Sequence, residues 1–266
     1  MKPVPVLMYH HVNNHKGDMV TVTPETFRGQ MQYLHGSGYK TLKADELLSY
    51  IKGELVLDER AVFVTFDDGW LDNYIYAFPV LKEYRINAAI FLITDRVENA
   101  SLRNPELQTL NSKLTIPSHK ESKSLIENGE EGRVVLNWKI VDEMSGSGLI
   151  EFYSHTKSHV RCNKLPEEAL IKELAESRRI IEEKTGKPCF CLCWPYGKYN
   201  DNAVRIAGTL NYRALFTTKL GVVKPGSDPF EIKRIVVKDS VIWFKRRLAI
   251  YSNLVLSELY LRLKKR

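Results

Sequence analysis

The run AVFVTF at Ala61–Phe66, followed at once by Asp67, Asp68 and Gly69, restricts the fold more than any other part of the 266-residue chain. Its residues are apolar or β-branched without a polar break, so a strand made from them is buried on both faces, as in a parallel sheet. Parallel strands need crossover connections, normally helices, and hence an α/β architecture. The strand would deliver two adjacent carboxylates to the sheet's carboxyl edge. Such a pair repels and loses solvation there, so a cation or a proton must hold it, and a metal ion is the simpler means.

Further strands are expected at residues 3–9, 87–93, 149–153, 189–193, 214–217 and 232–237, making seven with the central one. Helical patterns separate them. Thr23 and Pro24 form a helix start ahead of a stripe of Phe27, Met31 and Leu34. Residues 44–51, 72–84 (with Pro79 as a kink), 136–144, 166–185 and 200–209 complete the set. Residues 95–133 interrupt the alternation with a polar stretch, expected to be an insertion or lid, or disorder. The length suits one α/β barrel-like domain over residues 1–266.

A second chemical signal follows the apolar run ending at Phe152, where His155 and His159 stand four residues apart. They share a face if the chain turns helical after His155, and neutral imidazole is the commonest metal ligand. One carboxylate and two imidazoles leave coordination positions open, as in catalytic rather than structural sites of zinc or another first-row divalent ion. Taken singly, an aspartate here could cap a helix beginning near Trp70, and His155 could be a core or surface histidine. Asp72 is explained as a first-turn helix charge.

The sequences TFDDG (65–69), HTKSH (155–159) and WPYG (194–197) together resemble the polysaccharide deacetylases of carbohydrate esterase family four. VPVLMYHHV near the amino terminus and LNWKIVDEMSGSGLIEF before the histidines are similar to the branch containing bacterial poly-N-acetylglucosamine deacetylases, and the likeness spans residues 3–240. The resemblance implies an irregular seven-stranded (β/α) barrel and metal-dependent removal of an N-acetyl or other acyl group from an amino sugar. It assigns Asp68, His155 and His159 to a divalent metal, zinc first and cobalt, nickel or manganese otherwise. Asp67 becomes the base, and the Tyr196 amide the oxyanion donor. Where the family often has an arginine two positions before Pro-Tyr-Gly, this chain has Cys193. Arg234 is the expected substitute as partner of Asp67, unless it forms a barrel-rim ion pair. No histidine follows His159, so the acid for the leaving amine is assigned to His10, which could instead be a core residue. Tyr153, where glycine is common, suggests a narrowed site.

The implied partner is an N-acylated amino-sugar glycan or glycolipid; a lipid-linked sugar at the cytoplasmic membrane face, or glycan binding without catalysis, are the alternatives. A formal charge of +7 favours anionic partners, but no nucleic-acid module is present and nucleic acid is not expected. The start MKPVPVLMYHH lacks the apolar core of a secretion signal, and no uncharged run has the length of a membrane span. The expectation is a cytoplasmic protein; the basic amphipathic segment at residues 241–266 could make it peripheral to the inner membrane, but packing of that segment on the barrel is the favoured reading. Cys189, Cys191 and Cys193, alternating along one strand, are expected as free thiols.

Overall fold

The computed structural model describes residues 2–103 and 116–264. Its strands are β1 (Val6–Tyr9), β2 (His11–Val12), β3 (Thr21–Val22), β4 (Lys40–Thr41), β5 (Ala61–Phe66), β6 (Ala88–Leu92), β7 (Ile150–Ser154), β8 (Cys191–Cys193), β9 (Ala214–Leu220) and β10 (Ile232–Val236). Seven of them close a parallel barrel in the order β1-β10-β9-β8-β7-β6-β5, shut by the pairing of β1 with β5 from Val6 opposite Phe63 to Tyr9 opposite Phe66. The ring is uneven. β7 meets β8 only at Ser154 opposite Leu192, and the register slips between β9 and β10. β4 pairs with the first residues of β5, while β2 and β3 form a separate parallel pair.

Inward positions fill the barrel rather than leaving a pore. The rings of Phe63 and Phe91 lie 5.7 and 4.9 Å from that of Phe216, and all three are buried. Outside run α1 (Pro24–Gly36), α2 (Ala44–Lys52), α3 (Phe78–Tyr84), α4 (Thr94–Arg103), α5 (His119–Glu127), α6 (Trp138–Gly146), α7 (Glu167–Thr185), α8 (Asp201–Thr209), α9 (Val241–Tyr251) and α10 (Leu254–Lys264). The helix starts follow local chemistry: Thr23 caps α1 through Thr26 N, and Gly186 ends α7 in the left-handed region.

Three expectations need correction. The stretch 95–133 is not structureless where described, since it contains most of α4, all of α5 and a turn at Glu131–Arg133; residues 104–115 of that insertion lie outside the described residues. The stripe of α4 is thin, with only Val97 and Ala100 as its buried apolar side chains, so periodicity alone does not reveal it. The expected helix 72–84 is a π-helical turn, Asn73–Ala77, leading into α3, with Pro79 in α3's first turn where a missing N–H costs least. The chain does not turn helical after His155. Thr156 and His159 adopt φ of 66° and 63°, and an irregular loop, not a helix face, brings the two imidazoles together.

At the carboxyl end, α9 packs as a barrel helix, burying Phe244, Leu248 and Tyr251. α10 leaves Val255, Leu256, Leu259 and Leu263 exposed. Among the described residues no helix is long and apolar enough to cross a membrane. All four cysteines are free and buried.

Candidate active site

β5 ends where its apolar run ends, and the next two side chains, still buried, diverge. Asp67 points at Arg234 of β10, which meets it with both guanidinium arms, Nη1 to Oδ1 at 2.7 Å and Nη2 to Oδ2 at 2.8 Å. Arg234 is anchored in turn, donating through Nε to Thr217 O at 2.9 Å and through Nη1 to Thr65 Oγ1 at 3.2 Å. Burial works to raise the Asp67 pKa, but the guanidinium outweighs it and holds the carboxyl below its usual range. The Cys193 thiol sits 3.0 Å from Arg234 Nη2. Cys193 thus occupies the position where an arginine was expected, and Arg234 reaches the same carboxylate from another strand. His10 Nε2 lies 3.7 Å from Asp67 Oδ2; burial lowers its pKa, with Asp67 and Asp68 opposing.

Asp68 has φ of 73°, so the chain reverses at this residue and aims its carboxylate away from Arg234. Oδ2 accepts a hydrogen bond from Trp70 Nε1 at 3.0 Å. Oδ1 is buried and has no hydrogen-bond partner, yet it faces His155 Nε2 at 3.5 Å and His159 Nε2 at 3.3 Å. His155 Nδ1 donates to Cys193 O at 2.8 Å, so in the neutral ring Nε2 carries the lone pair directed at the carboxylate. Burial pushes the His159 pKa down to about 3, with Asp68 opposing, and leaves that ring neutral. A buried carboxylate oxygen that faces the lone pair of His155 Nε2, and makes no hydrogen bond to His159 Nε2 at 3.3 Å, is unfavourable unless a cation lies between these groups. The three ligand atoms lie within 4.8 Å of one another, and their chemistry suits a first-row divalent ion. Asp67, His155 and Cys193 are equally close, but Asp67 is engaged by Arg234 and burial pushes the Cys193 thiol well up, so that trio does not suit a metal.

The turn Pro195–Gly197 follows β8, with Tyr196 at φ of 58°. Its closing donors are Gly197 N to Trp194 O at 2.9 Å and Lys198 N to Pro195 O at 3.0 Å; the Tyr196 amide is not one of them. The Tyr196 ring rests 4.6 Å from that of His159.

One cleft of about 220 Å³ is lined by His10, Asp67, Asp68, His155, His159 and Tyr196. Arg234 lies beneath it, fully buried behind Asp67. A larger hollow beside α5, lined by Pro117, Lys120 and Arg133, contains none of these groups. Arg96, His119 and Lys123 also line the cleft. They fall within the stretch expected to be an insertion, and no spacing or local pattern in the sequence connects them to the other motifs.

Two further expectations change. Asp72 stands at a helix start as expected, but it is also a buried acceptor, 2.6 Å from His11 Nδ1. Tyr153 does not narrow the cleft: it lines a separate cavity with Glu151, Phe190 and Arg213.

Comparison with known proteins gives the family of the chain. The family described as Polysaccharide deacetylase matches residues 55–215, more than half of the chain. The chain is 27% identical over 234 residues to YxkH of Bacillus subtilis (strain 168), covering 88% of this chain and 71% of the relative. It is 28% identical over 229 residues to a poly-β-1,6-N-acetyl-D-glucosamine N-deacetylase of Staphylococcus epidermidis, covering 82% of this chain and 68% of that protein. In fold it is similar to the Streptococcus pyogenes deacetylase PplD, solved in complex with acetate, with a TM-score of 0.76 at 22% identity over 94% of this chain and 98% of the other. By the extent of the matched region and by the barrel that carries it, the chain belongs to the polysaccharide deacetylase family.

Proposed function

We propose that this protein hydrolyses the N-acetyl group of an amino sugar in a polysaccharide, oligosaccharide or glycolipid, with a divalent cation, zinc first among candidates, held by Asp68, His155 and His159. The observation that carries the reading is the buried, partnerless Oδ1 of Asp68 facing the Nε2 atoms of two histidines. When bound, such an ion lowers the pKa of a water molecule and polarises the amide carbonyl.

The protein's own groups supply the rest. Asp67 is the base: Arg234 keeps it ionised and fixes its plane, and the guanidinium prevents it from becoming a ligand. His10, beside Asp67, is assigned the proton transfer to the departing amine; burial lowers its pKa, and the adjacent carboxylates work against that. The Tyr196 amide donates to the developing oxyanion. Two departures favour a silent glycan binder, the missing arginine before Pro-Tyr-Gly and the missing late histidine; the bidentate hold on Asp67 by Arg234 answers the first.

The direct test incubates the purified protein with zinc, cobalt, nickel or manganese and β-1,6-linked N-acetylglucosamine oligomers, chitooligosaccharides or lipid-linked N-acyl sugars, and measures released acetate and new free amines. Turnover should accompany one tightly bound ion per chain by elemental analysis. Asp68→Asn and His159→Ala should lose the ion, and Asp67→Asn should retain it while losing about 100-fold or more in kcat. A stoichiometric ion without turnover on any acylated sugar would establish the glycan-binding reading instead. Peripheral contact with an anionic membrane is a further part of the proposal, supported by the exposed Val255, Leu256, Leu259 and Leu263 of α10 beside Arg262 and Lys264.

A further inference from the structure

Across Trp70 from the proposed metal ligands lies a second series of polar groups that the proposed reaction does not use. Asp72 is buried, and its Oδ2 accepts from His11 Nδ1 at 2.6 Å and from Asn13 Nδ2 at 3.0 Å. The His11 ring is also buried and stacks on Trp70 at 4.3 Å, and its Nε2 lies 3.0 Å from Nδ1 of His119, the first residue of α5. His119 is half-buried and lines the cleft that holds Asp67, Asp68 and His159.

The order of protons along this series follows from its first member. A carboxylate only accepts, so His11 Nδ1 carries a hydrogen and, in the neutral ring, Nε2 carries a lone pair. The 3.0 Å contact to His119 is then a hydrogen bond only if His119 Nδ1 is the donor. Neutral His119 is left with a lone pair on Nε2, the nitrogen turned away from His11. The charged groups around it are Lys123, Asp18 and, farther off, Asp68; burial, with His11 and Lys123, pulls its pKa down to about 4, so the ring is neutral at neutral pH.

We propose that His119 binds substrate, its Nε2 accepting a hydrogen bond from a hydroxyl of the amino sugar in the cleft, with His11 and Asp72 as positioning residues that set its tautomer. A sugar hydroxyl can donate or accept, and the tautomer decides that here it donates. This rests on the glycan reading of the site given above. The same series ties the amino end of α5 to β2 and to the start of the helical segment after β5, so the wall carrying His119 is held in register with the reacting groups.

The zinc-loaded protein tests it in two ways. In steady-state kinetics with a β-1,6-linked N-acetylglucosamine pentamer, His119→Ala should raise KM about tenfold with a smaller change in kcat, the loss expected for one hydrogen bond to a neutral acceptor. His119→Gln, whose carboxamide oxygen can reach the Nε2 position, should recover most of that loss, whereas the shorter His119→Asn should not. Long-range ¹H–¹⁵N spectra should show His11 and His119 protonated at Nδ1. In Asp67→Asn protein, used to prevent turnover, the His119 Nε2 resonance should move upfield on adding the pentamer, and Asp72→Asn should weaken that response. A His119 ring protonated at Nε2, an Nε2 signal indifferent to the pentamer, or a fall in kcat at unchanged KM would each overturn the proposal. If the wild-type protein releases no acetate, the hydrolase reading fails by itself, while the response of the Nε2 resonance still decides for or against His119.

Discussion

Asp67 and Asp68 are adjacent and chemically identical, yet one meets a guanidinium and the other meets two imidazoles. That divergence divides their proposed roles, and it makes Arg234 a sensitive position. Arg234→Met would leave Asp67 buried beside a thiol without its guanidinium, with only His10 nearby at 3.7 Å, and should cost about 3–5 kcal/mol of stability in denaturant unfolding. Pairing it with Asp67→Asn should recover much of that loss, because the uncompensated charge is gone. Another carboxylate offers a cleaner pH test, away from the proposed metal ligands. Glu151 is mostly buried, and burial raises its pKa even though Oε2 accepts from Ala44 N at 2.9 Å. Because the folded value lies above the unfolded one, ionising Glu151 opposes folding, and the penalty is absent at acid pH and grows as pH rises past the ordinary glutamate value near 4.5. Glu151→Gln keeps an acceptor for Ala44. Its stability should match the wild type at pH 4 and exceed it at pH 7, as measured by thermal unfolding at both pH values.

At the scale of elements, the turn after β8 shows how a short segment serves the site through backbone geometry. Gly197 has φ of 62°, and a Cβ there would lie 2.1 Å from Thr218 Oγ1, so this glycine is needed both for its conformation and for its closeness to β9. Gly197→Ala should destabilise by about 1–2 kcal/mol from the backbone conformation alone. It should also lower kcat, because the displaced turn carries the proposed oxyanion donor. Adding Thr218→Ala should relieve the clash but not the backbone strain, so thermal unfolding of the double variant should fall between Gly197→Ala and wild type. The loop after β7 works in a related way. Left-handed residues at Thr156 and His159 fold it back so that both imidazoles reach Asp68, a result that helical spacing suggested for a different geometric reason.

For the molecule as a whole, a cation bound only by the folded state should stabilise it, by about 2.7 kcal/mol at a free concentration 100 times Kd, so chelation should lower the unfolding temperature and zinc should restore it. If α10 meets anionic lipid, the protein should co-sediment with phosphatidylglycerol vesicles but not with phosphatidylcholine vesicles, and Leu259→Glu with Leu263→Glu should abolish this without altering the fold. Retention by neither vesicle would remove the membrane from the proposed function. Much of the architecture was legible beforehand, because a strand buried on both faces leaves a continuous apolar run, as β1, β5 and β6 do, and even the interrupted IKRIV of β10 stands out between polar segments. Helices with thin stripes, such as α4, left no comparable trace. By itself the sequence determined the alternation of buried strands with helices and the residue types at the barrel's carboxyl edge, since those depend on burial and on local chemistry. Only the tertiary structure decided that Arg234 reaches Asp67, that Asp72 and His11 orient His119, and that an irregular loop gathers the histidines; these contacts join residues far apart in the chain, and their energies depend on distance and burial that no local pattern encodes.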